Sequence, residues 1–271
     1  MPYLYPLPLA LRGFRRTSIG DRLGIMERLF GRKLQSEGIQ WVETAPGLPW
    51  KVDLGNPCHR WMVYGDYADT GFLNWARSDV PEDGVIIDSG TNVGQFLPYL
   101  ANIISEGRIL AFEPSPYCVQ WVQECLNVNP DLPIELIPKG LGREKKQLAL
   151  EDTEGAHGLW GRLSQEDRHQ KEKVQVTALT EAVRTREISQ VSLWKLDVEG
   201  HELEALKGAD ELLAEKQIHA LYVEVRAENR SEDVAFLQNH GYSPYETKRN
   251  GELKAVQEHP GSSTDLLFLP Q

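Results

Sequence analysis

Cysteine is scarce in this 271-residue chain, with three in all, too few for the disulfide framework of a secreted scaffold. Cys118 and Cys125 stand seven positions apart on an expected helix, about 10 Å along its axis and beyond disulfide reach. A reducing, cytoplasmic setting is the expectation. Long hydrophobic runs are also missing: nothing approaches the roughly 18 consecutive apolar residues of a membrane span. Positive charge is in deficit, with 29 Lys and Arg against 40 Asp and Glu, a net charge of −11. A surface this acidic repels phosphate backbones and anionic membranes, so nucleic acid is not an expected partner, although a local basic patch escapes the argument. There is no internal repeat and no low-complexity tract. The first eleven residues are apolar, but Arg12, Arg15 and Arg16 follow them, the reverse of a signal peptide. Pro2, Pro6 and Pro8 interrupt any helix there, so the stretch reads as an extension rather than a targeting signal.

What is present is the balance of a globular protein, 41% hydrophobic and 25% charged. The length fits one large domain with an extension. Residues 1–80 read as that extension, packed on the core: a helix over 21–36, strands at 39–44 and 49–54, and an aromatic helix over 60–78. From 81 to 271 strands and helices alternate. Strands are expected at 85–88, 108–113, 134–137, 191–197, 218–226 and 265–269. Helices are expected at 95–105, 116–127, 202–216 and 231–240. Two amphipathic strands near 147–150 and 174–177 flank a polar insertion, 151–173, that reads as a lid or a surface loop. Asn250-Gly251 signals a type I′ hairpin turn. Strands alternating with helices define an α/β protein with a doubly wound parallel sheet. Ligands of such sheets bind at the carboxyl ends of the strands, which directs attention to the loops after Asp88, Glu113, Asp197 and Val225.

Three motifs lie at those ends. Asp88-Ser-Gly90-Thr-Asn92-Val-Gly94 joins a strand to a helix through glycines that allow a tight turn and close approach of a ligand. Its spacing is not that of a G-x-G-x-x-G dinucleotide loop, and it lacks the basic residue of a P-loop. Glu113 closes the next strand, where an acidic residue accepts hydrogen bonds from a ribose diol. Trp194-Lys195-Leu-Asp197-Val-Glu199-Gly-His201-Glu202 puts several ionisable groups at the end of an apolar run. Lys195, inside that run, is expected to pair with a neighbouring carboxylate. Glu199 and Glu202 also suit the positive end of the following helix.

Taken in order, Asp88-x-Gly-x-Asn-x-Gly94, Phe112-Glu113-Pro114 and Lys195-x-Asp-x-Glu-Gly-x-Glu202 resemble the FkbM family of S-adenosylmethionine-dependent methyltransferases. The later Leu206-Lys-Gly208, Glu224 and the strand near Leu267 fit as well, and the resemblance covers about residues 60–271. Thr91 stands where the family usually has Ala, and Thr180 where it commonly has Asp. The resemblance implies a Rossmann-like class I methyltransferase sheet of seven strands with an antiparallel last strand. It implies that Asp88, Gly90, Asn92 and Gly94 hold the methionine and ribose of S-adenosylmethionine. Glu113 would take the ribose hydroxyls with Ser115 nearby, and Gly140 and Leu141 would lie near the adenine. The acceptor it implies is a small hydroxylated molecule such as a sugar or secondary metabolite.

An alcohol nucleophile needs a base or a metal, because its pKa lies far above 7. Asp197, or Glu199 or His201 beside it, is the candidate base, with Lys195 orienting the carboxylate. Asp197, Glu199 and Glu224 as hard ligands for Mg²⁺ form the alternative. Two other readings remain open: an NAD(P)-dependent oxidoreductase, supported by Glu113, and a non-catalytic binding module of methyltransferase fold.

Overall fold

The computed structural model describes residues 1–15, 22–65, 69–152, 161–164, 172–226, 230–256 and 264–271, without the side chains of 151–152, 161–164 and 230–231. The N-terminal region holds helices α1 (Leu9–Phe14) and α2 (Arg22–Gln35), then the hairpin β1 (Ile39–Glu43) and β2 (Pro49–Asp53). Two helices follow, α3 (Pro57–Tyr64) and α4 (Thr70–Asp79), where one was expected. Gly65, left-handed at φ 68°, caps α3 and breaks the run.

The alternating region begins with β3 (Val85–Ser89), α5 (Leu97–Ala101), β4 (Arg108–Phe112), α6 (Pro116–Val128) and β5 (Ile134–Ile137). A mixed excursion comes next: β6 (Gly140–Leu141), β7 (Lys146–Asp152), β8 (Gly161–Ser164) and β9 (Glu172–Thr177). These four form their own sheet in the order β6-β9-β7-β8. The chain returns through α7 (Leu179–Arg184), β10 (Leu193–Leu196), the short helices α8 (Glu202–Lys207) and α9 (Asp210–Ala214), and β11 (Leu221–Val225). It closes with α10 (Arg230–Asn239), β12 (Tyr242–Thr247), β13 (Leu253–Ala255) and β14 (Thr264–Pro270).

The central sheet runs β13-β12-β14-β11-β10-β3-β4-β5. From β5 to β11 all neighbours are parallel, and β14 is inserted antiparallel between β11 and β12. The expected seven strands are eight among the described residues, because β13 adds an edge by pairing with β12. The turn joining them is not type I′. In the turn only Gly251 has positive φ, at 87°, and its N–H donates to Lys248 O at 2.8 Å while Lys248 N–H donates to Glu252 O at 2.8 Å. A type I′ turn requires positive φ at both central residues.

The sheet separates two cores. On one side Ile86, Ile109, Leu193 and Tyr222 pack with α5, α6 and the N-terminal region, including Leu11, Met26, Trp50 and Phe72. On the other, Ile87, Leu110, Trp194 and Leu196 pack with α7 to α10. Trp50 reaches across from the hairpin: its Nε1 donates to Val93 O at 3.0 Å, inside the glycine loop that follows β3. The N-terminal region thereby forms one wall of the loop on which the strand-end chemistry depends.

Candidate active site

Asp88, Lys195 and Tyr222 are direct neighbours across β3, β10 and β11. Cross-strand neighbours project to the same face, so the pleat alone gathers these side chains at the carboxyl end of the sheet. Lys195 is 4% exposed and Asp88 1%. The Lys195 ammonium lies 3.0 Å from Asp197 Oδ2 and 4.0 Å from Asp88 Oδ1, and 4.7 Å above the Phe96 ring. Burial opposes its charge, but Asp197 and Asp88 outweigh that and hold its pKa above the ordinary lysine value.

The loop after β3 is tied to β4 at several points. Gly90 and Thr91 N–H groups donate to Phe112 O, at 3.0 and 3.1 Å. Asn92, at φ 54°, donates its N–H to Glu113 Oε2 at 2.7 Å, and Ser115 N–H donates to Glu113 Oε1 at 2.8 Å. Burial nevertheless pushes Glu113 up to about 7. Each of its oxygens keeps a further lone pair for a ligand. The Thr91 hydroxyl lies 3.1 Å from Asp88 Oδ2 and 3.0 Å from Asp88 O, which gives this departure from the family pattern a contact of its own. Asp88 Oδ1 is buried without a hydrogen-bond donor, and desolvation raises the Asp88 carboxyl.

The remaining predicted residues separate. Ser115 caps α6, its hydroxyl accepting from Cys118 N–H, so helix capping accounts for it locally. Gly140 and Leu141 form β6, buried and paired with Val176 and Thr177 of the second sheet. Glu199, left-handed at φ 56°, pairs with the Arg226 guanidinium, which also donates through Nε to Glu224 Oε2 at 2.9 Å. Desolvation and Asp197 push Glu199 up to about 6. Glu199 and Glu224 therefore share an arginine. Among the described residues no group of three acidic, His or Cys side chains is arranged to hold a metal ion. His201 faces the second sheet, where a Cβ on Gly142 would stand 3.2 Å from its Nε2. Burial lowers its pKa. Of the four candidate catalytic residues, Lys195 and Asp197 share one cluster with Asp88, and His201 lies apart from it. Within the polar insertion, Gly155, Gly158 and Trp160 fall outside the described residues.

Several groups at the site had no signal as isolated residues. Asp69, just before α4, accepts a 2.5 Å hydrogen bond from the Tyr222 hydroxyl, and Tyr222 stacks on Phe72 at 3.8 Å. Asp265 on β14 pairs in register with Glu224 on β11. Burial raises Asp69 and Asp265, and Asp69 and Asp197 both add to the rise of Asp265. The alternation of Asp265 with Leu266 was readable, but its neighbours became visible only with the antiparallel register of β14.

A parallel sheet with β3 central, β14 reversed near one edge, and carboxylates ending β3 and β4 is the architecture of a class I methyltransferase. A family model described as "Methyltransferase FkbM domain" matches residues 88–244, over half of the chain, and the chain belongs to that family. Curated relatives include Methyltransferase 1 of Beauveria bassiana, 28% identical over 48% of this chain and 60% of the relative. Methyltransferase sdnD of Sordaria araneosa is 27% identical over 49% of this chain and 63% of its own. The chain thus spans less than two thirds of either. The hexuronic acid methyltransferase AglP of Haloferax volcanii is 28% identical, over 65% of this chain and 70% of that protein. Among solved structures, magnesium protoporphyrin IX methyltransferase from Synechocystis aligns with a TM-score of 0.45 at 14% identity, covering 94% of this chain and all of the other.

Proposed function

We propose that the protein transfers a methyl group from S-adenosylmethionine to a hydroxyl of a small acceptor, a sugar or a secondary metabolite. The observation that carries this reading is Asp88: a fully buried carboxylate oxygen without a donor at the end of the first strand of the alternating region. Around it stand Lys195, whose charge Asp197 and Asp88 hold, and the carboxyls of Asp69, Asp197 and Asp265. Such a site suits a cationic ligand with hydrogen-bond donors, and the cofactor is a sulfonium with an amino group and a ribose diol.

In this reading Asp88, Gly90, Asn92 and Gly94 cradle the methionine and ribose portions. Glu113, with Ser115 nearby, accepts from the ribose hydroxyls, and Gly140 and Leu141 border the adenine. When bound, the cofactor supplies a methyl group already activated on sulfur. The chain must hold the acceptor oxygen in line and take its proton. Asp197 is the group for that step, because its carboxylate borders the cluster and Lys195 fixes its orientation. Glu199 and His201 are secondary candidates, Glu199 being held by Arg226 and His201 facing the second sheet. The three cysteines are free thiols, which suits a reducing, cytoplasmic setting.

Calorimetric titration with S-adenosylmethionine, S-adenosylhomocysteine and NADH tests the reading. Binding of both adenosyl compounds without NADH is the expected result, followed by methyl transfer to hydroxylated acceptors. Binding of NADH alone would instead identify an oxidoreductase.

A further inference from the structure

The chain's charge is unevenly distributed. Residues 1–36 carry seven Arg and Lys against Asp21 and Glu27, a net +5 within a chain of −11. The exposed apolar residues concentrate in the same region. Of six large hydrophobic side chains exposed among the described residues, Met1, Tyr3, Leu9, Leu29 and Ile39 all fall within the first 39 positions, at 53% exposure or more.

Helix α2 brings the two features together. Its inward face buries Met26, Gly31 and Leu34. Its outward face presents Arg28, Leu29, Arg32 and Lys33, all exposed, with Arg28 above Arg32 and Leu29 above Lys33 at a spacing of four. Arg32 and Lys33 suit the negative end of the helix, but that does not account for Arg28 or for Leu29 at 65% exposure. Glu27, the one acidic residue of the helix, is turned inward onto Arg60 and Tyr64. Arg28 and Arg32 therefore repel one another with no acidic neighbour on the helix to offset them. The N-terminal segment runs against β1, the strand that follows α2, since Tyr5 N–H donates to Trp41 O at 2.7 Å, two residues beyond the exposed Ile39.

We infer that the outward face of α2, with the exposed Leu9 and Ile39 of the same N-terminal region, forms a docking surface for an anionic phospholipid membrane. Basic side chains with long apolar stems, and an exposed leucine among them, suit the anionic headgroup region of a membrane surface. No helix among the described residues is long and apolar enough to cross a membrane, so the contact is peripheral. An acidic protein surface would neutralise Arg28, Arg32 and Lys33 but would leave Leu29, which stands among them on the same face, in water. The acidic remainder of the chain is repelled by the same membrane, which orients the molecule with α2 toward the lipid.

The test is co-sedimentation of the full chain with vesicles of phosphatidylcholine alone and of phosphatidylcholine mixed with phosphatidylglycerol. Pelleting with the mixed vesicles, reversed by high salt and absent with phosphatidylcholine alone, is expected. Neutralising the face with Arg28→Gln, Arg32→Gln and Lys33→Gln should weaken partitioning on the order of 100-fold. Leu29→Ser with Ile39→Ser should weaken it with every charge retained. These positions are exposed, so unchanged melting temperatures certify the fold of each variant. Failure of the wild-type chain to pellet with the mixed vesicles overturns the inference. So does a salt-sensitive dimer, seen by sedimentation velocity, that the Gln variant abolishes, because the face then belongs to a second copy of the chain.

Discussion

The carbonyl oxygen of Asp197 is packed against Gly90: a Cβ at position 90 would come within 1.7 Å of it. The first loop and the end of β10 are therefore interlocked through backbone, and Gly90 also sits at φ 78°. Gly90→Ala combines a left-handed strain with a clash that no side-chain movement relieves. It should destabilise the protein by at least about 3 kcal/mol in urea unfolding. Cofactor affinity should fall with it, since Asp197 and the loop cannot both stay in place. A Gly90→Ala protein with wild-type stability would refute this packing argument.

Asp197 and Lys195 should fail differently. Asp197→Asn keeps the shape and leaves the buried Asp88–Lys195 pair intact. Its expected effect is a 10²- to 10⁴-fold loss of turnover, with adenosyl-compound affinity changed only a few-fold. Lys195→Met strands Asp88, whose carboxylate is 1% exposed, and should cost about 3–5 kcal/mol of stability together with cofactor binding. Turnover, calorimetry and urea unfolding on the two variants separate a proton acceptor from a buried counter-ion. Normal turnover in Asp197→Asn would remove Asp197 from the chemistry.

The sequence carried the backbone plan well, and for a physical reason. Strands buried on both sides, such as 85–89 and 193–196, read as apolar runs, and Asp88, Glu113 and Asp197 stand out because a carboxylate ending such a run is costly. Lys195 was legible for the same reason. Less legible was whatever depends on register or on contacts between distant segments. Tyr222 became a neighbour of Lys195, and Asp69 of Tyr222, only once β10 paired with β11 and α4 packed on that face. The helix expected over 202–216 is broken into α8 and α9 at Gly208, whose Cα faces Gly142 O so closely that a Cβ would lie 2.0 Å from it. His201 lay next to Glu199 in sequence yet faces the other sheet, because left-handed Glu199 and Gly200 turn the chain between them.

Trp50 links the N-terminal region to the site. It is fully buried, donates to Val93 O, and its ring lies where a Cβ on Gly94 would stand 2.6 Å away. Trp50→Ala should cost about 3–5 kcal/mol through the cavity it leaves. Trp50→Phe keeps most of the packing but strands the Val93 carbonyl, and should cost about 1–3 kcal/mol. Both should weaken cofactor binding by freeing the glycine loop. A protein lacking residues 1–54 should not fold alone, because Leu97, Trp121 and Tyr222 would lose a wall of their shared core. Circular dichroism of that fragment decides the point.

Asp233 makes the fold sensitive to pH away from the strand ends. It is fully buried, and neither carboxylate oxygen finds a hydrogen-bond donor. Desolvation, then Glu202 and Glu232, push it up to about 7, against a weaker pull downward from Lys207. In the unfolded chain the same carboxyl releases its proton near 3.8. Between those values the folded state holds a proton that the unfolded state has lost, so stability falls as pH rises. The contribution is complete below about pH 4 and lost as pH passes through about 7. Glu113 and Glu199, also raised, act in the same direction. Asp233→Asn should therefore raise stability at pH 8 by up to about 4 kcal/mol relative to its effect at pH 4, flattening the pH dependence measured by urea unfolding. A variant whose stability tracks the wild type in parallel from pH 4 to pH 8 would mean that Asp233 is ionised in the folded protein and held by a partner that compensates its charge.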